Sequence, residues 1–196
     1  IRCIKDENPP IQNDSNTVED FDPGSNERWS IRHDYNDVAT SLQSQLEAQY
    51  INGELAKMNS IFIFGTKALT AEDYVYLNDL ANNASNVLRH IVISGSGNMT
   101  IPKDAFTSPQ WITITFYEAN NIEAYALHFT AGCNLLNLKF GNFDALTIDE
   151  RAFDFGMKNP MDINIFLAGV ELKNADASAS IWQNIKWRSV KNYYNQ

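Results

Sequence analysis

The chain has 196 residues, of which 44% are apolar and 20% are charged, so it can bury a core and is expected to fold. Its 15 basic and 24 acidic residues give a formal net charge of -9, which repels phosphate backbones and excludes non-specific nucleic-acid binding. No apolar run approaches the roughly 20 residues that a membrane-spanning helix needs, so no membrane span is predicted.

Residues 1–33 are predicted to form a polar, poorly ordered arm. Turn-forming residues interrupt any period there, including Pro9-Pro10 and Asp22-Pro23-Gly24. The chain starts at Ile1 without an initiator Met, as a secreted chain does after signal removal or as an expressed fragment does. Of these two interpretations we favour the secreted protein.

Residues 34–57 show the spacing of a helix, with good helix formers between the apolar positions. The apolar positions are Val38, Leu42, Leu46, Tyr50 and Leu55. Such a helix can cover the exposed core of the first unit in a repeat array. We therefore predict an N-terminal capping helix here.

From residue 58 to residue 181 the chain has two periodic ladders. The centres of the aligned strand-like segments lie 23, 24 and 25 positions apart, at Ile91, Ile114, Leu138 and Ile163. A second ladder follows the first three centres by 15 residues, at Phe106, Phe129 and Phe153. Because the two ladders keep a constant offset, they predict stacked units. Each unit would have a half-buried strand and an aromatic anchor on its return segment.

An earlier unit begins near Ile61, and its longer return is predicted to contain a helix from Thr70 to Asn82. Thr70 would cap this helix, with Asp73 three residues later. At the other end, residues 182–196 hold apolar and aromatic residues such as Trp187. We expect this segment to form a C-terminal cap.

The repeat resembles the leucine-rich repeat family. The matching return segments are Thr100–Phe106 and Thr147–Phe153. Phe129-Thr-Ala-Gly-Cys133 resembles a variant found in microbial and protist surface proteins, whereas the I-P-x-x-A-F form resembles secreted arthropod proteins, including non-catalytic subunits of luciferase complexes. The resemblance implies an α/β fold: a short right-handed solenoid with a parallel sheet, an N-terminal helix and a C-terminal cap.

The sequence departs from this family at the buried asparagine of each repeat. That position falls on other residue types, namely Ser96, Ala119, Phe143 and Ala168. The missing asparagines leave backbone donors that need other partners.

In such a solenoid, the outward side chains of the strands form a concave sheet face, where these proteins usually bind. The wider set on this face also holds Phe64, Val92, Thr113, Asn137 and Asp162. The candidate ligand-binding residues are Phe62, His90, Thr115, Tyr117, Lys139, Asn164 and Phe166. Mixed aromatic and polar groups suit protein or glycan contact, although ordinary solvated sheet positions would look the same.

The sequence contains no recognisable catalytic motif. His128 and Cys133 are five residues apart, but ordinary packing explains them better than a thiol–imidazole pair. Gly95-Ser-Gly97 lacks the rest of a nucleotide loop and is predicted to form a turn. The acidic residues Asp144, Asp149, Glu150 and Asp154 fit no EF-hand spacing. We therefore predict no cofactor, no metal and no enzyme activity.

Three glycosylation sequons support secretion modestly, at Asn13, Asn83 and Asn98. Asn98 is expected in a loop just past a strand. The two cysteines, Cys3 and Cys133, either form one disulfide or stay separate, and the sequence leaves this open.

The leading hypothesis is a secreted, non-enzymatic binding or scaffold protein that binds a protein or glycan with its concave face. One alternative is a non-catalytic subunit of an enzyme complex, with a catalytic partner. A hydrolase or transferase on an unrelated α/β fold fits less well, because the segments 94–109 and 117–131 are too polar and short for βαβ crossovers.

Overall fold

The computed structural model describes residues 30–37, 39–51, 53–141, 145–158, 162–168, 171–172 and 186–189. The helices are α1 (Leu42–Gln49), a 3-10 helix (Leu55–Lys57) and α2 (Ala71–Asn82). The strands are β1 (Ser30–Asp34), β2 (Ser60–Phe64), β3 (His90–Ile101), β4 (Thr113–Ile122), β5 (Leu127–His128), β6 (Asn137–Gly141), β7 (Ala145–Ile148), β8 (Phe153–Asp154), β9 (Asn164–Ala168), β10 (Glu171–Leu172) and β11 (Lys186–Ser189).

The chain has an α/β fold with a mostly parallel sheet and few helices. This agrees with the predicted α/β class and parallel sheet. The main path of the sheet runs β1-β2-β3-β4-β6-β9-β11, so neighbours in the sheet follow one another along the chain. β7 pairs with the end of β4, and β10 pairs with β7, while β5 and β8 form a separate two-stranded sheet. All of these strand pairs are parallel.

The register of the main path confirms most of the first predicted ladder. Ile91 lies opposite Ile114, and Ile114 opposite Leu138. The next partner of Leu138 is Ile165, however, so the predicted alignment on Ile163 was wrong by two residues. A slip of two leaves the inward and outward faces unchanged, because side chains alternate with a period of two.

The second ladder contains a similar slip. Phe106 pairs with Leu127, and Leu127 pairs with Phe153, so the middle anchor is Leu127 rather than the predicted Phe129. Phe129 instead stacks on Phe155, with ring centroids 6.1 Å apart. Each of these residues is nevertheless buried, as expected for an apolar anchor.

A single large core lies on one face of the sheet and continues into the return segments. Phe106 links its parts, because its ring lies 5.6 Å from Tyr74 of α2 and 5.5 Å from Phe116 of β4. Phe116 in turn stacks on Phe140 of β6. Ile114 is 0% exposed, as expected for the inward-facing centre of a strand in the first ladder.

The N-terminal elements differ from their predicted boundaries. Residues 30–33 of the predicted polar arm belong to β1, which pairs with β2 at the edge of the sheet, and residues 1–29 lie outside the described residues. The predicted helix over 34–57 is shorter, since Asp34 ends β1 and α1 covers only Leu42–Gln49. The Ser41 hydroxyl caps α1 by accepting from the backbone N–H of Ser44.

The helix predicted in the first return is confirmed as α2. The Thr70 side chain accepts from the backbone N–H of Asp73, and the Asp73 side chain accepts from the Thr70 N–H, which completes the predicted capping box. Within the predicted cap over 182–196, β11 continues the sheet beside β9, and the remaining residues of that cap are outside the described part.

A buried asparagine on α2 makes hydrogen bonds to the turn that follows β3. Asn78 is 4% exposed, and its Oδ1 accepts from the backbone N–H groups of Thr107 and Ser108 and from the indole N–H of Trp111. Its Nδ2 donates to the Ala105 carbonyl at 2.9 Å. The turn after β3 is thus satisfied from the preceding unit's helix.

Candidate binding face

The sheet has a second face, opposite the core, which we call the outer face. The strand register arranges its side chains in three rows. The polar row comprises Ser60, His90, Thr113, Asn137 and Asn164. The central row comprises Arg32, Phe62, Val92, Thr115, Lys139 and Phe166. The third row comprises Phe64, Ser94, Tyr117 and Gly141.

The central row begins with an apolar cluster that is separate from the main core. Phe62 and Val92 are 4% and 0% exposed, and Phe64 and Tyr117 pack against them. The guanidinium carbon of Arg32 lies 5.9 Å from the centre of the Phe62 ring. This part of the outer face therefore combines aromatic surface with a cation, the geometry of a cation–π contact.

A second cation–aromatic pair lies further along the same row. The Nζ of Lys139 is 5.6 Å from the centre of the Phe166 ring, and both side chains are half-buried. The contact follows from the observed register, which places Lys139 of β6 directly opposite Phe166 of β9. Adjacent strands about 4.8 Å apart bring such side chains within reach of one ligand.

The polar row ends in a pair of asparagines. The Nδ2 of Asn164 donates to the Asn137 Oδ1 and to the Leu136 carbonyl, both at 3.4 Å. The amides bridge neighbouring strands and leave further donors and acceptors for a ligand, because each amide can make up to four hydrogen bonds.

Thr115 occupies the middle of the central row and is only 1% exposed. Its hydroxyl has no hydrogen-bond partner within the part of the chain that the structure describes. A buried hydroxyl without a partner costs free energy, so this position is a point of weakness in the row.

All seven predicted ligand-binding residues lie on the outer face. His90 and Asn164 belong to the polar row, Tyr117 to the third row, and the central row holds Phe62, Thr115, Lys139 and Phe166. Phe62 and Thr115 are buried, whereas the other members are half-buried. Asp162, also expected on this face, is exposed and precedes β9.

Sequence reasoning missed Arg32, because the surrounding residues were assigned to the polar arm. A signal was nevertheless available. Ile31 precedes Ile61 by 30 positions, the same interval that separates Ile61 from Ile91, and the structure pairs Ile31 with Ile61 and Ile61 with Ile91.

The predicted glycosylation sites have different settings. Asn83 follows the end of α2 and is exposed, with its Oδ1 accepting from the backbone N–H of Ser85. Asn98 lies within β3 rather than in the loop where it was expected. Asn13 lies outside the described residues.

Among the described residues, no hydrogen bond or ion pair joins His128 to Cys133. His128 lies between two carboxylates, with its Nδ1 3.1 Å from Asp104 and its Nε2 3.7 Å from Asp154. Cys133 is a half-buried free thiol, and its burial raises its pKa. A raised pKa keeps the thiol protonated at neutral pH, unlike the thiolate of a reactive cysteine.

The turn predicted at Gly95-Ser-Gly97 was wrong. Gly95 and Gly97 lie inside β3, where an irregularity shifts the register with β4 between Ser94 and Met99. In the described part of the chain, no group of three or more His, Cys, Asp or Glu side chains is placed to hold a metal ion. None of its helices is long and apolar enough to cross a membrane.

Comparison with protein families, with curated proteins and with solved structures found no match to this chain.

Proposed function

We propose that this chain is a secreted, non-enzymatic binding or scaffold protein that uses the outer face to bind a protein or a glycan. One observation carries the proposal. The strand register gathers Tyr117, Lys139 and Phe166 from three successive units on one face, away from the core.

The finer fold proposal is a short right-handed solenoid that resembles the leucine-rich repeat family. Three ladders support it, because the main path, the β4–β7–β10 pairing and the β5–β8 pairing each join a segment to its counterpart in the next unit. Parallel crossovers within one sheet are right-handed in nearly all proteins. In this solenoid the outer face becomes the concave face.

The composition of the outer face fits recognition of another molecule. Aromatic and cationic side chains usually dominate interface energy, and neighbouring polar groups orient the ligand. The central row supplies Lys139 and Phe166, which are both half-buried, and the polar row supplies the amides of Asn137 and Asn164.

The test begins with capture of the binding partner from the native source by the full chain. Affinity for that partner is then measured for the wild type and for Tyr117→Ala and Phe166→Ala. Each substitution should cost more than about 1 kcal/mol of binding free energy. Val75→Ala is the matched apolar control, since Val75 is 60% exposed on α2.

Folding should survive both outer-face substitutions, because these side chains point away from the main core. The outer face is the wrong assignment if both variants bind as the wild type does. Loss of binding in Val75→Ala would instead place the interface on the helices.

Secretion is tested by peptide mass spectrometry after expression in a secreting eukaryotic host, where absence of glycan at both Asn83 and Asn98 would count against it.

A further inference from the structure

A second candidate site lies away from the outer face, in an open cleft of about 520 Å³. It forms where β4 and β7 end and the neighbouring return segments turn. Its polar lining includes Lys103, Asn121, Glu123, Tyr125, Thr147 and Asp149. None of these residues belongs to the three rows of the outer face.

The cleft displays a tyrosine whose backbone is fixed by both neighbouring units. Tyr125 is 38% exposed and has a φ of 58°, a left-handed conformation that is unfavourable for a non-glycine residue. Its carbonyl accepts from the Asp104 N–H at 2.9 Å, and its N–H donates to the Arg151 carbonyl at 2.7 Å. An aromatic ring on a strained but well-held backbone is a feature of binding sites.

The two carboxylates of the cleft each accept a hydrogen bond from a backbone N–H group. Glu123 Oε2 accepts from the backbone N–H of Lys103 at 3.2 Å, and Asp149 Oδ1 accepts from the backbone N–H of Arg151 at 2.8 Å. That second hydrogen bond lowers the pKa of Asp149, so the carboxylate stays ionised beside the Arg151 guanidinium. Among the described lining residues Lys103 is the cation and Glu123 and Asp149 are the carboxylates, and the Lys103 Nζ lies 3.8 Å from Asp104 Oδ2. This excess of negative charge disfavours an acidic ligand.

Polar groups with spare hydrogen-bonding capacity lie at the base of the cleft. Asn121 of β4 lies opposite Thr147 of β7. Neither side chain makes a hydrogen bond to any other described residue, and Glu123 keeps one carboxylate oxygen without one. The amide, hydroxyl and carboxylate can thus serve a ligand that carries many hydroxyl groups.

We propose that this cleft binds a neutral oligosaccharide. One pyranose ring would stack its C–H face on Tyr125, while Asn121, Thr147 and Glu123 hydrogen-bond its hydroxyls. A sugar presents an apolar face and a rim of hydroxyls, which matches an exposed aromatic ring beside a few placed polar groups. The two carboxylates of the lining repel an acidic sugar, so an uncharged sugar is favoured.

The experiment titrates the isotopically labelled full chain with cellotetraose, maltotetraose and tetra-N-acetylchitotetraose, and follows backbone amide shifts by NMR. At least one of these neutral probes should give saturable shifts at Asn121, Tyr125 and Thr147. Tetragalacturonate, an acidic tetrasaccharide, should bind more weakly. Saturation by none of the neutral probes, or tighter binding of tetragalacturonate, would overturn the proposal.

Substitutions then locate the site. Tyr125→Ala should weaken binding about tenfold, the equivalent of about 1.4 kcal/mol, whereas Tyr125→Phe keeps the ring and should bind almost as the wild type does. Asn121→Ala should also weaken binding, and its thermal midpoint shows whether the fold is intact. A Tyr125→Ala protein with wild-type affinity would contradict the stacking.

Tyr117→Ala separates this site from the outer face and should bind the sugar normally. If the shifts map to the outer face and disappear in Tyr117→Ala, the cleft proposal fails while the proposed function stands. If the cleft binds sugar but the outer-face variants keep their partner, the proposed function fails and the cleft proposal stands.

Discussion

Two regions of the molecule build the core behind one sheet in different ways. The return that follows β2 contains the helix α2, whereas the described residues of the returns that follow β4 and β6 contain the short strands β5, β7 and β8 and no α-helix. The helical return buries polar residues, since Asp73 and Asn78 are 2% and 4% exposed. The strand returns bury aromatic rings, with Phe129 and Phe153 each within stacking distance of Phe155.

The difference shows that the register of the sheet does not require one kind of return. In the helical return, directional hydrogen bonds from α2 fix the turn that follows the next strand. In the strand returns, the packing of aromatic rings against a continuous core holds the segments in place. The two regions should therefore respond differently to loss of a ring and to loss of an amide.

Removal of a ring from the strand returns should have the largest effect. Phe129 is 0% exposed, so Phe129→Ala should lower the free energy of unfolding by about 3–5 kcal/mol by leaving a cavity. Chemical denaturation measures this loss. Leu136→Ala is the control, because Leu136 is 46% exposed. Equal losses in the two variants would mean that Phe129 is not a core anchor.

Removal of the α2 amide should have the next largest effect. Asn78→Ala leaves the backbone N–H groups of Thr107 and Ser108 and the Trp111 indole without their acceptor, which should cost about 2–4 kcal/mol of unfolding free energy. Asn82→Ala removes one hydrogen bond to Ser108 and should cost less. Hydrogen exchange at the Ser108 amide should accelerate only in Asn78→Ala. If it does not, water replaces the amide and the helical return is not fixed by Asn78.

The inward and outward faces were predictable from the sequence because they depend only on alternation. The assignments of Ile163 and Phe129 were each two residues from the observed partners, and a slip of two leaves every residue on its predicted face. This tolerance explains why all the candidate binding residues lie together although the alignment was partly wrong.

Other features could not be read from local patterns. β1 is a short edge strand in which Ile31 is the one apolar residue, and such strands resemble polar linkers in sequence. Asn78 joins groups about 30 positions apart, and nothing in the pattern of an amphipathic helix marks a buried amide. The cleft around Tyr125 depends on neighbouring turns that only the fold brings together.

The smallest predicted effect is a change with pH in the stability that Asp149 contributes. Hydrogen bonds from Arg151 lower the pKa of Asp149, so the folded protein binds fewer protons there than the unfolded chain. The resulting stabilisation is present above the ordinary carboxyl pKa and is lost as the pH falls through the lowered value. Asp149→Asn should reduce stability slightly at neutral pH, and thermal unfolding should show the difference vanishing in acid. A difference that does not change with pH would assign it to packing.

Whether Lys139 and Phe166 share a row decides whether the outer face is one continuous surface. Paired residues on adjacent strands have Cα atoms about 4.8 Å apart, within the range of a disulfide. In a Cys3→Ser/Cys133→Ser background, Lys139→Cys/Phe166→Cys should therefore oxidise to an intramolecular disulfide. Lys139→Cys/Asn164→Cys should not, because a displacement of two residues adds about 6.6 Å along the strand. Cross-linking of the Asn164 pair instead of the Phe166 pair would contradict the register and the row built on it.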